Sequence, residues 1–230
     1  MSTIAGNIAQ VEARIRAAAE AVQRDVTSIH LLAVSKTKPA AALREAYAAG
    51  IRDFGENYLQ EARAKQVELT DLPLSWHFIG PIQSNKTREI AEHFAWVHSV
   101  DRLKIAQRLS EQRPADLPPL NICIQVNVSG EASQSGCNPA DLPALAAAIS
   151  ALPRLKLRDL SAVVADIAGQ TLSPESIARL LATVGRQLAL GITAGMGLGF
   201  AMSQDPDLHG VVPSPLAPCP SLRANATRST

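Results

Sequence analysis

The chain is poor in cysteine: Cys123, Cys137 and Cys219 are its only three, and none forms a Cys-x-x-Cys pair. An odd, scattered set excludes a disulfide framework and gives no zinc-ligand spacing, so a reducing compartment is expected. Aromatic residues are as scarce, 3% of 230 residues, and seven of the eight lie between Tyr47 and Trp96. An excess of one charge is missing too, with 22 basic side chains against 21 acidic ones and a net charge of +1. Without a global basic field, nucleic acid, a membrane surface and an acidic partner are not expected as ligands held by bulk electrostatics. The sequence has no apolar run long enough to span a bilayer, and its first eight residues show no basic segment ahead of an apolar one. Neither a membrane span nor a signal peptide is therefore read. A cytoplasmic protein is expected and, with no apolar repeat arguing for an interface, a monomer.

What is present is an ordinary globular composition, 47% apolar and 19% charged, long enough for one large α/β domain. The charge is unevenly spread. Residues 1–160 carry 35 of the 43 charged side chains, and residues 161–230 carry eight and no lysine. From Val211 on, four prolines precede a small polar tail, leaving little scope for packed helices or central strands. A domain over residues 1–210 and an irregular or disordered proline-rich tail over 211–230 are expected.

Within the domain, Ile4, Ile8, Val11, Ile15 and Val22 recur at helical spacing, and residues 29–34 are a branched apolar run of the kind found in buried parallel strands. The pairing repeats. Helices over 39–49, 58–69, 84–94, 102–112 and 139–152 alternate with strands over 51–54, 76–79, 96–100, 120–128 and 155–164. Ser173, Pro174 and Glu175 read as one more helix start, and beyond Leu190 the pattern fails. Six strands separated by helices and short loops argue for a parallel sheet with right-handed crossovers. They point to a single (β/α)8 barrel of the TIM type, an open doubly wound sheet being the alternative. In both folds chemistry belongs at the carboxyl ends of strands. Polar residues gather there: Ser35 and Lys36, Glu56 and Asn57, Gln83 to Lys86, His98 and Ser99, and Gln125, Asn127 and Glu131.

Lys36 leaves the first strand at the rim of an apolar barrel, beside Lys38, an environment that favours the neutral amine required by Schiff-base chemistry. Position alone suits better a lysine that snorkels into water. Ser35-Lys-Thr-Lys38 has the SxxK spacing of serine acyl-enzymes but lacks their SDN and KTG partners. Residues 80–87 keep Walker A spacing, with Asn85 in place of the last glycine and with Pro81 lacking an N–H of the kind that cradles phosphate. Gly195, Gly197 and Gly199 form a glycine-rich stretch, yet Phe200 takes the last position of the dinucleotide motif. The five histidines show no metal-ligand spacing and read as core or surface residues, so no metal site is expected.

The blocks LLAVSKTKP (31–39), FGENYLQE (54–61), WHFIGPIQSNK (76–86), HSVDR (98–102) and QVNVSGE (125–131) closely resemble, in order and spacing, the pyridoxal phosphate homeostasis proteins, also called the proline-synthetase co-transcribed family. The resemblance covers about residues 1–160. It implies a single barrel like the N-terminal domain of alanine racemase, here residues 1–210, with pyridoxal 5′-phosphate held as a Schiff base on Lys36 and Asn57 lining the pocket. Residues 80–86 become a family loop rather than a phosphate loop. The implied function is non-enzymatic: intracellular homeostasis of pyridoxal phosphate, with apo-enzymes that use it as partners. A racemase-like enzyme is the alternative and would need a second acid–base group on the other face of the cofactor. Racemases of this type add a β-domain for that purpose, for which no length is left here, and the only tyrosines are Tyr47 and Tyr58. No catalytic residue is assigned.

The chain also departs from the family pattern. Residues 159–164 replace GLMAIP, and Gln134 replaces a lysine. The phosphate cup survives as Met202-Ser203-Gln204-Asp205, which leaves Ser203 as the phosphate-side candidate, and no arginine-glycine-threonine run follows. The proline-rich tail in its place has the composition of a frameshifted or rearranged C-terminus, so the last strands are expected to be missing or rebuilt. Charge-assisted hydrogen bonds to phosphate are worth about 1.5–3 kcal/mol each. Losing several predicts weak cofactor retention and reduced stability, with a chain that binds nothing as the extreme.

Overall fold

The computed structural model describes residues 3–21, 23–127, 135–163 and 197–199. Seven strands run parallel in sequence order: β1 (Ala33–Val34), β2 (Asp53–Glu56), β3 (Ser75–Phe78), β4 (Trp96–Val100), β5 (Leu120–Asn127), β6 (Leu155–Val163) and β7 (Gly197–Gly199). Helix α1 (Ile4–Ala21) precedes them. Helices α2 (Ala40–Ala48), α3 (Leu59–Glu68), α4 (Thr87–His93), α5 (Leu103–Gln112) and α6 (Leu142–Ser150) lie in the crossovers. A doubly wound sheet reverses its strand order at a switch point, whereas a barrel of the TIM type keeps it sequential. The order here is sequential, and the fold is the barrel. The step from β7 back to β1 falls outside the described residues.

Strand alternation explains why the sheet curls with its helices outside. On β5, Leu120, Ile122, Ile124 and Val126 are fully buried in one cluster with Ile90, Ile105, Leu109, Leu142 and Ile149 from the helical layer. The alternate residues Asn121, Cys123 and Gln125 face the other way, into the lumen. Each large aliphatic side chain in that layer contributes about 1.5–3 kcal/mol of transfer free energy. A second cluster, with Leu43, Ala46, Ile51, Phe54 and Leu69, seats α2 against β2.

The first strand is shorter than the apolar run 29–34 suggests. Residues Val26–Ser28 form a 3-10 turn in which Asp25 accepts from Thr27 N at 2.9 Å. The register that pairs Ala33 with Phe54 leaves Ile29, His30 and Leu31 below the first residue of β2. The predicted helices at 84 and 139 also open as 3-10 turns, Ser84–Lys86 and Pro139–Asp141. The pattern expected to fail beyond Leu190 resumes once, because β7 pairs with Asp159, Leu160 and Ser161 of β6. Two glycines in a three-residue strand carry no hydrophobic pattern from which to read it. The helix start at Ser173 and the tail over 211–230 lie outside the described residues. No helix among the described residues is long and apolar enough to cross a membrane.

Candidate functional site

Alternation along the first two strands decides which side chains meet. Phe54 packs in the helical layer, and Glu56 bonds to Lys65 of α3, so Asp53, Gly55 and Asn57 turn to the lumen. Ala33 packs on the same apolar cluster, and Ser35 Oγ donates to Glu56 Oε1 at 2.6 Å. Val34 therefore takes the lumen face, and Lys36 falls in the turn that follows the strand. Val34 is in register with Gly55, and Ser35 N donates to Gly55 O at 2.9 Å. Lys36 lies two residues past the end of β1 and Asn57 one residue past the end of β2, so both stand at the carboxyl end of the barrel. The two cofactor residues expected from sequence thus both follow the carboxyl ends of adjacent strands, and Ser203 lies outside the described residues.

Behind Lys36 is a buried ionic cluster. Lys65 Nζ donates to Ser35 O at 2.6 Å, to Glu56 Oε1 at 2.7 Å and to Glu61 Oε1 at 2.6 Å. Glu56 is wholly buried, and burial pushes its carboxyl above the usual range, against the opposing hydrogen bonds from Lys65 and Ser35. Its Oε2 has no partner among the described residues. Residues 35–38 form a turn closed by Lys38 N donating to Ser35 O at 3.1 Å. At its centre Thr37 has φ 62°, a left-handed conformation that costs a β-branched residue about 1–2 kcal/mol. Thr37 N donates to Glu61 Oε1, and Thr37 Oγ1 to Lys36 O, each at 2.6 Å. Sequence reasoning placed Glu56 among the polar residues at the strand ends and missed Glu61 and Lys65 as parts of the site. Glu61 and Lys65 are four apart on a mostly polar helix and resemble a solvated pair.

The rim is set by close backbone contact. A Cβ built on Gly80 would lie 2.1 Å from Asn57 O, so only glycine lets the loop after β3 rest on the exit of β2. Ser99 Oγ fixes the same loop by donating to Gly80 O at 2.5 Å. The Walker-like residues further along the loop are engaged elsewhere. Thr87 is fully buried, with its Oγ1 2.7 Å from Gln112 Oε1 and accepting from Arg108 Nε at 3.1 Å, and Lys86 Nζ lies 3.7 Å from Glu89.

Deeper in the lumen a polar chain crosses four strands. With Asp53 as acceptor, His77 Nε2 donates to Asp53 Oδ1 at 3.0 Å, which leaves Nδ1 to accept from His98 Nε2 at 2.9 Å. His98 Nδ1 then faces Cys123 Sγ at 3.6 Å. Trp96 stacks on both rings, with centroids 5.5 Å from His77 and 5.7 Å from His98. Burial, with a smaller contribution from His77, pulls His98 down to about 3, so the ring is neutral. The hydrogen bond from His77 holds the Asp53 carboxyl below its usual range. These two histidines belong to the barrel interior, one of the two roles read from sequence.

Sequential parallel strands define a barrel of the TIM type, and the family match makes it one of the alanine-racemase type. Residues 7–189 match the family described as alanine racemase, N-terminal domain, a match that runs past the motif blocks. The pyridoxal phosphate homeostasis protein of Pseudomonas aeruginosa is 67% identical over 206 residues, 89% of this chain and 87% of that protein. Its counterpart in Escherichia coli K12 is 56% identical over 168 residues, 72% of each. The structure of PipY from Synechococcus elongatus with PLP bound is 40% identical, covers 78% of this chain and 83% of its own, and superposes with a TM-score of 0.64. Alanine racemase from Bartonella henselae, at 18% identity and a TM-score of 0.59, shares the fold over 83% of this chain and 51% of its own. The chain belongs to the pyridoxal phosphate homeostasis protein family.

Proposed function

We propose that this protein binds pyridoxal 5′-phosphate through Lys36, without turning over a substrate, and serves the intracellular homeostasis of that cofactor. The observation that carries this reading is that Lys36 and Asn57 follow directly on the carboxyl ends of the adjacent strands β1 and β2. The residues present fit the group. A primary amine and a side-chain amide follow the carboxyl ends of adjacent strands, beside a rim that Gly80 lets pack closely, as a site for a polar aldehyde needs. When bound, pyridoxal phosphate supplies an aldehyde that condenses with a lysine amine, releasing water. Lys36 would provide that amine, Asn57 would line the pocket beside it, and Ser203 would face the phosphate. The names of the relatives also support the reading, since the curated proteins are called homeostasis proteins and PipY is described with PLP bound.

A non-enzymatic role is favoured by the surroundings of the two tyrosines. Tyr47 lies under the Arg52 guanidinium, 3.8 Å from ring centroid to Cζ, and Tyr58 is 60% exposed at the start of α3. Action in the cytoplasm, as a monomer that passes the cofactor to apo-enzymes, completes the proposal.

The test is the visible absorbance of the protein incubated with pyridoxal phosphate, beside Lys36→Ala, followed by borohydride reduction and peptide mapping. A yellow band that the substitution removes, with the reduced adduct on the peptide holding Lys36, is expected. A folded protein that gives no band would overturn the proposal. Sustained Lys36-dependent exchange of the alanine α-proton in deuterated water would overturn its non-enzymatic part.

A further inference from the structure

We propose that Lys65 is the positioning residue for the Lys36 amine. The inference rests on the reading of Lys36 as the cofactor lysine. An ammonium has three protons to donate, and Lys65 spends all three within the cluster behind the turn. One goes to Ser35 O, the carbonyl of the peptide unit that enters Lys36. Another goes to Glu61 Oε1, the oxygen that also accepts from Thr37 N, the amide of the peptide unit that leaves Lys36. Both peptide units of Lys36 are thereby tied to one buried charge, directly on one side and through a carboxylate oxygen on the other. The third proton goes to Glu56 Oε1, which Ser35 Oγ also approaches at 2.6 Å. The cluster thus anchors the end of β1 to the end of β2.

A lysine that only held α3 to the barrel would need none of the contacts to residues 35–37. Burying an ammonium is costly, and an apolar side chain of similar length would fill the same space with less desolvation. The turn it braces is itself unfavourable, with Thr37 in the left-handed region, and such a conformation persists only when its surroundings over-determine it. Lys65 is bonded to Ser35 O and to two carboxylates, so its effect on the Lys36 amine passes through the backbone to the direction in which Lys36 leaves the strand.

The experiment separates attachment from binding. Covalent attachment is read from the visible band and the borohydride-trapped adduct in the Lys36 protein, and non-covalent affinity from equilibrium dialysis in a Lys36→Ala background. Lys65→Met is expected to lower the attachment equilibrium about tenfold or more, as displaced reacting groups do, with non-covalent affinity unchanged. In the cofactor-free protein, amide exchange at Thr37 is expected to quicken. Lys65→Arg should restore part of the attachment. Parallel loss of attachment and non-covalent affinity, or no loss of either, would overturn the inference and leave Lys65 as an anchor for α3. Should Lys65→Met fail to fold, Glu61→Gln at a partly exposed position carries the same test, and unchanged attachment there overturns the inference. Absence of a band in the unsubstituted protein would instead remove the reading of Lys36 on which the inference stands.

Discussion

The α-carbon of Gly80 rests against the backbone carbonyl of Asn57, so close that a Cβ there would come within 2.1 Å of the oxygen and 2.8 Å of the carbonyl carbon. Both clashing atoms are backbone, and neither can swing aside as a side chain would. Gly80→Ala must therefore move either the loop after β3, which Ser99 holds, or Asn57 itself. A loss of about 1–3 kcal/mol in urea unfolding is expected, the range of an overpacked site. Weaker pyridoxal phosphate binding should accompany it, measured by dialysis. Unchanged affinity in the substituted protein would detach Asn57 from the pocket.

This contact also marks the limit of what the sequence discloses. Alternating apolar runs gave six strands in order, and β4 lies where the run at 96–100 placed it, because each strand buries its outer face under a helix. The motif blocks named Lys36 and Asn57 as the expected cofactor residues, and both follow strand ends. Pairs decided by register between strands stayed hidden, since no local pattern tells that His77 meets Asp53 and His98 across neighbouring strands. Lys65 stayed hidden for the opposite reason. It sits on a helix whose polar residues look solvated, and only the approach of Ser35 and Glu56 makes it an interior charge.

Arg113 offers a second test of stability. Its guanidinium is buried and caps the end of α4, donating to Ala91 O at 2.5 Å, Phe94 O at 2.8 Å and Pro118 O at 2.8 Å. Arg113→Met leaves these carbonyls without their donor, at about 1–3 kcal/mol each for those that water cannot reach. The urea midpoint should fall steeply. Arg113→Lys should recover only part of the loss, because a single ammonium cannot reproduce the planar fork. Equal midpoints for the methionine and arginine forms would show that the cap adds nothing.

Cys137 should report on opening of the mouth near β5. Its backbone joins the exit of that strand, with Cys137 N donating to Gln125 O at 2.8 Å and Asn127 N donating to Cys137 O at 2.9 Å. Burial pushes the thiol up to about 11, from an ordinary 9.0. At mildly alkaline pH such a thiol holds about a hundredfold less of the reactive thiolate than an ordinary one. Alkylation of Cys137, followed by peptide mass, should be slower in the native protein than in denaturant by at least that factor. Similar rates in both states would mean that this segment is open in the folded protein.

Stability should fall in mild acid because of His98. Burial lowers its folded value to about 3 from 6.5, so between these limits the unfolded chain holds a proton that the folded chain refuses. The stabilisation is complete above the unfolded value and is lost as pH falls, at up to about 1.4 kcal/mol per pH unit. Asp53, whose value is lowered by its bond from His77, acts in the same direction as pH drops through the carboxylate range. Glu56 acts oppositely: its raised value gives a contribution complete below 4.5 and lost as pH rises. The His98 effect is isolated by His98→Gln, whose amide retains a donor and an acceptor without titrating. Urea midpoints measured between about pH 5 and pH 7 should slope upward in the parent and flatten in the variant. Equal slopes would mean that His98 takes its proton inside the folded barrel, on the Nδ1 that faces Cys123 Sγ.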